Sequence, residues 1–220
     1  MLKLENVSYS YGKSGAAVLS NVSCTFEAGR LNAVTGPSGS GKTTLLSIMA
    51  GMDKPTQGDV FINGDNLGAL NLDRYRRETV AMIFQSFHLF PLLTAMENVC
   101  FPMELNGVTK ADAIPKAAEL LSSLGIGPDM HKRYPSNLSG GEQQRVAIAR
   151  SLASGAKLLL ADEPTGNLDQ ANSMNIIDIL KRLAHEREYC VVVVTHDTDA
   201  AAEADTIYKM RDGKLTLSNS

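Results

Sequence analysis

The sequence contains a Gly-rich octapeptide, Gly36-Pro37-Ser38-Gly39-Ser40-Gly41-Lys42-Thr43, which matches the pattern G-x-x-x-x-G-K-[ST]. A predicted apolar strand at Leu31–Thr35 precedes it, and a helix is expected to begin at about Lys42 and to end near Gly51. Glycines let backbone N–H groups converge on phosphate oxygens, and the helix N-terminus adds positive potential. The Lys42 ammonium can reach the β- and γ-phosphates of a nucleotide, and the Thr43 hydroxyl can bind Mg²⁺. The complete pattern between these flanks predicts a phosphate-binding loop rather than a Gly-rich turn without a ligand.

Two carboxylates follow another predicted strand. Leu158-Leu159-Leu160-Ala161 is apolar and leads directly into Asp162 and Glu163. Ligands gather at the carboxyl ends of the strands in a parallel α/β sheet, so these acids should lie close to the octapeptide. Asp162 suits a Mg²⁺ site, and Glu163 suits the orientation and deprotonation of a water molecule. An exposed acidic turn would be an equal alternative for this pair alone, but beside a phosphate loop the pair predicts an NTPase.

The rest of the chain alternates strand and helix patterns. Four further segments have the apolar runs or the alternation of strands: Leu2–Tyr9, Val22–Phe26, Val80–Phe84 and Val191–Val194. Apolar residues at helical spacing predict a crossover helix around Ile176–Ala184, and Asp212-Gly213 predicts a hairpin. These patterns predict an α/β fold, a P-loop NTPase core with a mostly parallel sheet, an antiparallel β edge and an inserted α-helical subdomain at roughly 91–151. We expect one domain over 1–220.

Composition excludes several classes of protein. A net charge of −3 provides no basic excess for binding nucleic acid. Three widely spaced cysteines, Cys24, Cys100 and Cys190, match neither a disulfide framework nor a metal site, so reduced thiols are expected. No signal peptide follows Met1, and no apolar run is long enough to span a bilayer. Any action at a membrane would therefore need another polypeptide.

A second Gly-rich motif lies upstream of the acidic pair. Leu138-Ser139-Gly140-Gly141-Glu142-Gln143-Gln144-Arg145 contains Ser-x-x-Glu, which predicts a capping box at a helix N-terminus. A well-capped helix is the simpler interpretation, but two glycines at a helix start also form an anion site. The motif resembles the signature of ATP-binding-cassette (ABC) proteins, with Glu at its last position. The resemblance covers about Leu2 to Leu215.

Other ABC elements follow in the family's order. Tyr11 resembles the aromatic residue that stacks on adenine, and Tyr9 is the less favoured candidate. Gln85 resembles the glutamine that senses Mg²⁺ and the attacking water. Gly166-Asn167-Leu168-Asp169 resembles the D-loop, and His196 resembles the histidine that contacts the γ-phosphate.

The resemblance implies an ATPase with ATP and Mg²⁺ as cofactors. Two copies would face head to tail, each ATP lying between the phosphate loop of one copy and the signature of the other. The implied catalytic residues are Lys42, Gln85, Glu163 and His196, and the implied metal-binding residues are Thr43, Gln85 and Asp162. The implied ATP-binding residues are Tyr11, Gly36, Pro37, Ser38, Gly39, Ser40, Gly41, Lys42, Thr43, Thr44, Ser139, Gly140, Gly141, Glu142 and Asp169.

The resemblance also implies a separate membrane partner. Ser86–Pro91 is apolar for a loop and lies where the permease contacts ABC cassettes, with Phe87 or Phe90 as the expected contact. The chain would therefore be cytoplasmic and peripheral on the inner face of the membrane. Asp162–Asp169 is close to the form found in the lipoprotein-release and macrolide-efflux branch, whose permeases have a large extracytoplasmic domain.

Several alternatives remain open. A metabolite-importer subunit would share the catalytic motifs, and a cell-division ATPase that regulates wall hydrolases belongs to the same branch. A DNA-repair or translation ATPase would need a coiled-coil insertion or a second cassette, for which the chain is too short. Thr109-Lys110-Ala111-Asp112 fits a guanine-binding pattern, but it lies at a predicted helix start, where Thr109 as the N-cap is the better interpretation.

Overall fold

The structure is a computed structural model that describes residues 1–12 and 15–218. Its strands are β1 (Leu2–Ser10), β2 (Ala17–Phe26), β3 (Arg30–Thr35), β4 (Gln57–Ile62), β5 (Asp65–Asn66), β6 (Val80–Phe84), β7 (Leu158–Asp162), β8 (Cys190–Thr195), β9 (Thr206–Arg211) and β10 (Lys214–Leu217). Its α-helices are α1 (Lys42–Met49), α2 (Leu72–Glu78), α3 (Ala95–Leu105), α4 (Lys110–Ser123), α5 (Gly140–Ala153), α6 (Gln170–Arg187) and α7 (Thr198–Ala202). Short 3-10 turns occur at Leu67–Ala69 and Pro135–Asn137.

The central sheet has six strands in the order β10-β9-β3-β8-β7-β6. All neighbouring pairs are parallel except β10 with β9, which form the predicted hairpin around Asp212-Gly213. The strands β7 and β8 are almost entirely buried, because their apolar side chains are covered on both faces. Thr35 is in register with Thr195, and Asp162 with both Val194 and Phe84. The carboxyl ends of β3, β8, β7 and β6 therefore meet at one edge.

A second sheet is antiparallel, with the order β2-β1-β4-β5, and confirms the expected β edge. The strand predicted at Val22–Phe26 begins earlier, at Ala17. Apolar residues of this sheet, including Leu4 and Phe26, share one core with Leu45 of α1. This core fixes the helix that follows the phosphate loop.

Helices α3, α4 and α5 lie in the helical region predicted at roughly 91–151, although α5 continues to Ala153. Two of them begin with a complete capping box, Thr94 with Glu97 at α3 and Ser139 with Glu142 at α5. Thr109 is the N-cap of α4, so the guanine-like pattern marks a helix start, as predicted.

Helix α2 was not predicted. Only Tyr75 of this short helix is buried, so the sequence lacks the repeated apolar spacing by which a helix is recognised. The three cysteines are free thiols, and burial raises the pKa of Cys24 to about 12. Within the described part of the chain, no helix has both the length and the apolar character needed to cross a bilayer.

Candidate active site

The carboxyl edge of the central sheet opens into a cleft of about 420 Å³. Its lining residues are Tyr11, Val18, Ser38, Gly39, Gly41, Lys42, Thr43, Thr44, Glu163 and His196. All of these except Val18 are predicted site residues. Val18 is half-buried at the start of β2, and no motif in the sequence marks it. The structure thus brings together the phosphate loop, one of the two acids and the histidine that follows β8.

The phosphate loop ends at Gly41, the N-cap of α1, which adopts φ +106° and has no side-chain cap. Only glycine accepts this left-handed backbone without strain. The Lys42 Nζ donates hydrogen bonds to the carbonyl oxygens of Gly36 at 2.8 Å and Pro37 at 3.0 Å. The Ser40 hydroxyl is buried without a partner within the described residues. An uncapped helix start, a cation and an unpaired hydroxyl in one loop fit the phosphates of ATP.

Two of the three predicted metal ligands, Thr43 and Asp162, are joined by a side-chain hydrogen bond. Burial raises the pKa of Asp162, the charge of Glu163 raises it further, and a hydrogen bond from Thr43 and the charge of Lys42 oppose the rise. Residues 1–12 and 15–218 contain no cluster of three or more His, Cys, Asp or Glu that could hold a metal. The Thr43 hydroxyl and the Asp162 carboxylate fit Mg²⁺, because this ion binds few protein oxygens and completes its coordination shell with water and phosphate.

Gln85 lies at the end of β6 but does not line the cleft. Its side-chain amide donates to the Asn167 Oδ1 at 3.3 Å, and the Asn167 amide donates back to the Gln85 carbonyl at 3.0 Å. A Cβ built on Gly166 would lie 2.6 Å from the Gln85 Nε2. The structure therefore packs Gln85 against the Gly166–Asp169 segment, and its metal-binding role stays a prediction.

Glu163 and His196 form a close pair. The Glu163 Oε2 lies 2.6 Å from the His196 Nδ1, and the Glu163 N–H donates to the Val194 carbonyl at 2.9 Å. Glu163 adopts φ +48°, a left-handed conformation that is uncommon for a residue with a side chain. Such backbone strain persists only where surrounding structure enforces it, and it often marks functional positions. The conformation places the carboxylate against the imidazole, and both residues line the cleft.

The signature residues lie outside this cleft. Ser139 caps α5, since its hydroxyl accepts the Glu142 N–H at 3.3 Å and its own N–H donates to the Glu142 Oε2 at 2.7 Å. The same Ser139 N–H lowers the pKa of Glu142. Asp169, which also lies outside, caps α6 by accepting the Asn172 N–H at 2.8 Å. One chain therefore does not assemble all the predicted ATP-binding residues.

Tyr11 is the more exposed of the two candidate aromatic residues, with 59% of its surface accessible. Its hydroxyl lies 3.2 Å from the Thr44 Oγ1, and its ring packs edge-on against Tyr9. Tyr9 does not line the cleft, because its hydroxyl points to Asp53. The geometry favours Tyr11 over Tyr9 as the residue available to a ligand.

A buried glutamine in α5 was missed by sequence reasoning. Gln144 has no exposed surface, and its amide donates to the carbonyls of Pro164 at 2.7 Å and Phe84 at 3.4 Å. It thus joins the signature helix to the segments that carry Glu163 and Gln85. In the sequence, Gln144 is only a polar residue two positions before Val146. That pattern alone does not show whether the glutamine side chain is buried between two segments or exposed to solvent.

Comparisons with known proteins agree with this geometry. The family model described as ABC transporter matches residues 19–166. The lipoprotein-releasing system ATP-binding protein LolD of Rickettsia bellii is 42% identical over 220 residues, covering 99% of this chain and 98% of that protein. The macrolide export ATP-binding/permease protein MacB of Hyphomonas neptunium is 41% identical over 220 residues, which cover 98% of this chain and 34% of that protein.

Solved structures give the same result. The dimeric cassette MJ0796, an ABC transporter cassette, has a TM-score of 0.88 and 37% identity, with 100% of both chains covered. A dimeric post-hydrolysis state of that cassette, bound to ADP and Pi, has the same TM-score, identity and coverage. The chain belongs to the ABC transporter family and is an ATP-binding cassette ATPase that uses ATP and Mg²⁺.

Proposed function

We propose that two copies of this chain close head to tail around two Mg-ATP molecules and hydrolyse them. The supporting observation is that the cleft of one chain holds the phosphate loop but excludes Ser139, Gly140, Gly141, Glu142 and Asp169. A second copy would supply these residues to the γ-phosphate side. The similar cassette MJ0796 is dimeric in a post-hydrolysis state bound to ADP and Pi, which supports a nucleotide-bound dimer here. ATP would then be part of the interface, so hydrolysis would weaken the dimer.

Within each site, Lys42 and Ser38 would bind the phosphates, and Tyr11 would pack on the adenine. Thr43, Asp162 and Gln85 would hold Mg²⁺, which neutralises charge on the phosphate oxygens.

The 2.6 Å contact between Glu163 and His196 carries the catalytic assignment. The Glu163 carboxylate would accept a proton from the attacking water, and the imidazole would contact the γ-phosphate. The carboxylate and the imidazole contact each other, so closure of the dimer around ATP would have to separate them before each could act on the nucleotide.

Replacement of Glu163 tests this assignment. Glu163→Gln should bind ATP and form a stable dimer by light scattering, but its turnover should fall by at least about 100-fold because no base remains. The matched control is Glu119→Gln, the same chemical change at an exposed position of α4. Hydrolysis by Glu163→Gln at the wild-type rate would show that Glu163 is not the base.

We further propose that the dimer drives a membrane permease with a large extracytoplasmic domain, and that it is cytoplasmic and peripheral on the inner face of the membrane. Similarity to the lipoprotein-releasing protein LolD and the macrolide export protein MacB supports this assignment and favours a lipoprotein or a macrolide drug as cargo. An apolar surface lies near the loop that follows Gln85 (residues 86–91, the Gln85 loop) and offers a contact for the permease. Phe90, Phe101 and Leu105 are exposed there, and Leu92 is 86% accessible. A groove of about 370 Å³ beside it includes His88.

Affinity purification from native membranes tests the partner. The wild-type chain should co-purify with a membrane protein, and Phe90→Asp should reduce its recovery without changing ATP binding. Purification of the wild-type chain without any membrane protein would contradict the proposal.

A further inference from the structure

The loop after Gln85 has an unusual backbone. Phe87 and His88 adopt φ +58° and +50°, so two consecutive residues with side chains are left-handed. Single residues reach this region at a cost, and successive ones are rarer. Within the segment, the Phe87 N–H donates to the Phe84 carbonyl at 3.3 Å and the His88 ring stacks on Phe84, and contacts from outside the loop add to these.

A contact from outside the loop comes from Arg150 in the third turn of α5. One guanidinium nitrogen donates to the His88 carbonyl at 2.6 Å, and the other donates to the Phe87 carbonyl at 3.2 Å. The guanidinium also lies over the Phe90 ring, 5.5 Å from its centroid. Within the described residues Arg150 has no ion-pair partner. Each of the two nitrogens of the planar guanidinium serves one of these carbonyls, a fixed fork that a lysine at this position would lack.

Side chains of helix α5 bind the backbone both before and after Gln85. Gln144 donates to the Phe84 carbonyl immediately before it, and Arg150 donates to the Phe87 carbonyl two residues after it. Ser151 adds a hydrogen bond to the Met82 carbonyl at 3.2 Å. The helix that begins at Ser139 is thus tied to β6 and to the loop by three side chains.

We propose that Arg150 is a positioning residue that fixes the Gln85 loop to the signature helix and thereby sets where the Gln85 amide lies. The inference rests on the proposed role of Gln85 at Mg²⁺ and the attacking water. Loss of the fork would release the Phe87–His88 turn, and Gln85 would no longer be held against Asn167.

A double-mutant cycle tests the link through turnover. Arg150→Lys keeps the charge but loses the fork, and it should lower kcat by roughly tenfold with little change in ATP affinity. In a Gln85→Ala background the same substitution should change kcat by less than about twofold, because the residue it positions is gone. The matched control is Arg133→Lys, a surface arginine paired with Asp129, which should leave kcat unchanged in both backgrounds.

Amide hydrogen exchange of the 84–91 segment gives a second readout. Exchange there should accelerate in Arg150→Lys while exchange elsewhere in the sheet is unchanged. Equal losses of kcat in both backgrounds, or unchanged kcat and exchange, would overturn the role of Arg150. Failure of the proposed function is distinguishable, because Gln85→Ala alone would then hydrolyse ATP at the wild-type rate.

Discussion

The phosphate loop and the signature are both Gly-rich segments at a helix N-terminus. They differ in whether the polar groups at the helix start find hydrogen-bond partners within the chain. At α1 the N-cap Gly41 supplies no side-chain hydrogen bond, and the adjacent Ser40 hydroxyl is buried and unpaired within the described chain. At α5 the N-cap Ser139 and Glu142 satisfy each other's backbone groups in a closed capping box. The first site is incomplete without a ligand, and the second is stable without one.

This difference suggests an order of events. The first turn of α1 offers free N–H groups and a cation, so an isolated chain can bind nucleotide there. The first turn of α5 carries the negative Glu142 carboxylate, and the Glu142 N–H already donates to the Ser139 hydroxyl. The signature should therefore contribute only when a nucleotide already held by another copy is brought to it.

Removal of the cation is expected to have the largest effect. Lys42→Ala should weaken ATP binding by roughly 100-fold, because charged hydrogen bonds to phosphate contribute about 1.5–3 kcal/mol each. Titration calorimetry with Mg-ATP measures the affinity directly. Lys116→Ala, which removes an exposed lysine from α4, is the control and should bind normally. Wild-type affinity in Lys42→Ala would show that the loop backbone alone binds the nucleotide.

The two motifs also differ in what their sequences revealed. The apolar runs of β7 and β8, the phosphate loop and the Ser139 capping box were predicted because each signal is local, within a few residues. Gln144 and Arg150 were not predicted, since the Phe84 and Phe87 carbonyls that they bind lie 60 and 63 residues away in the chain. Such contacts depend on how α5 packs on β6, which no short pattern encodes. The separation of Ser139 from the cleft likewise follows from tertiary structure.

Removal of a cap should have an intermediate effect. Ser139→Ala should destabilise the fold by about 0.5–2 kcal/mol, and a domain of this size loses about 2–4 °C of melting temperature per kcal/mol. It should also weaken the ATP-dependent dimer in the Glu163→Gln background while leaving binding by the monomer unchanged. Thermal melting and light scattering measure the two effects separately.

Helix α3 supplies the matched control for this cap. Thr94 and Glu97 form the same capping box, but they lie far in the chain from either Gly-rich motif. Thr94→Ala should cost similar stability and leave ATP-dependent dimerisation intact. An equal loss of dimer in both variants would mean that Ser139 acts only as a cap, and the two Gly-rich motifs would then not share a ligand.

Neutralisation of Glu142 should have the smallest effect, and its pH dependence is diagnostic. The Ser139 N–H stabilises the carboxylate and lowers its pKa from the ordinary value of a glutamate, so the folded state favours the charged form. This stability is present above the unfolded pKa and is lost as pH falls through the lower folded value. The wild-type chain should therefore melt up to about 2 °C above Glu142→Gln near pH 6, and the gap should close in acid.

The second capping box tests whether this behaviour belongs to the motif or to the site. The pKa of Glu97 is lowered chiefly by the Thr94 N–H, so Glu97→Gln should show the same closing gap in nucleotide-free melting experiments. With ATP present the two should diverge, because a carboxylate at position 142 would face the γ-phosphate across the dimer and its removal should tighten the closed state. If Glu97→Gln and Glu142→Gln respond identically to ATP, the first turn of α5 does not meet the nucleotide, and the head-to-tail arrangement loses its second anion site.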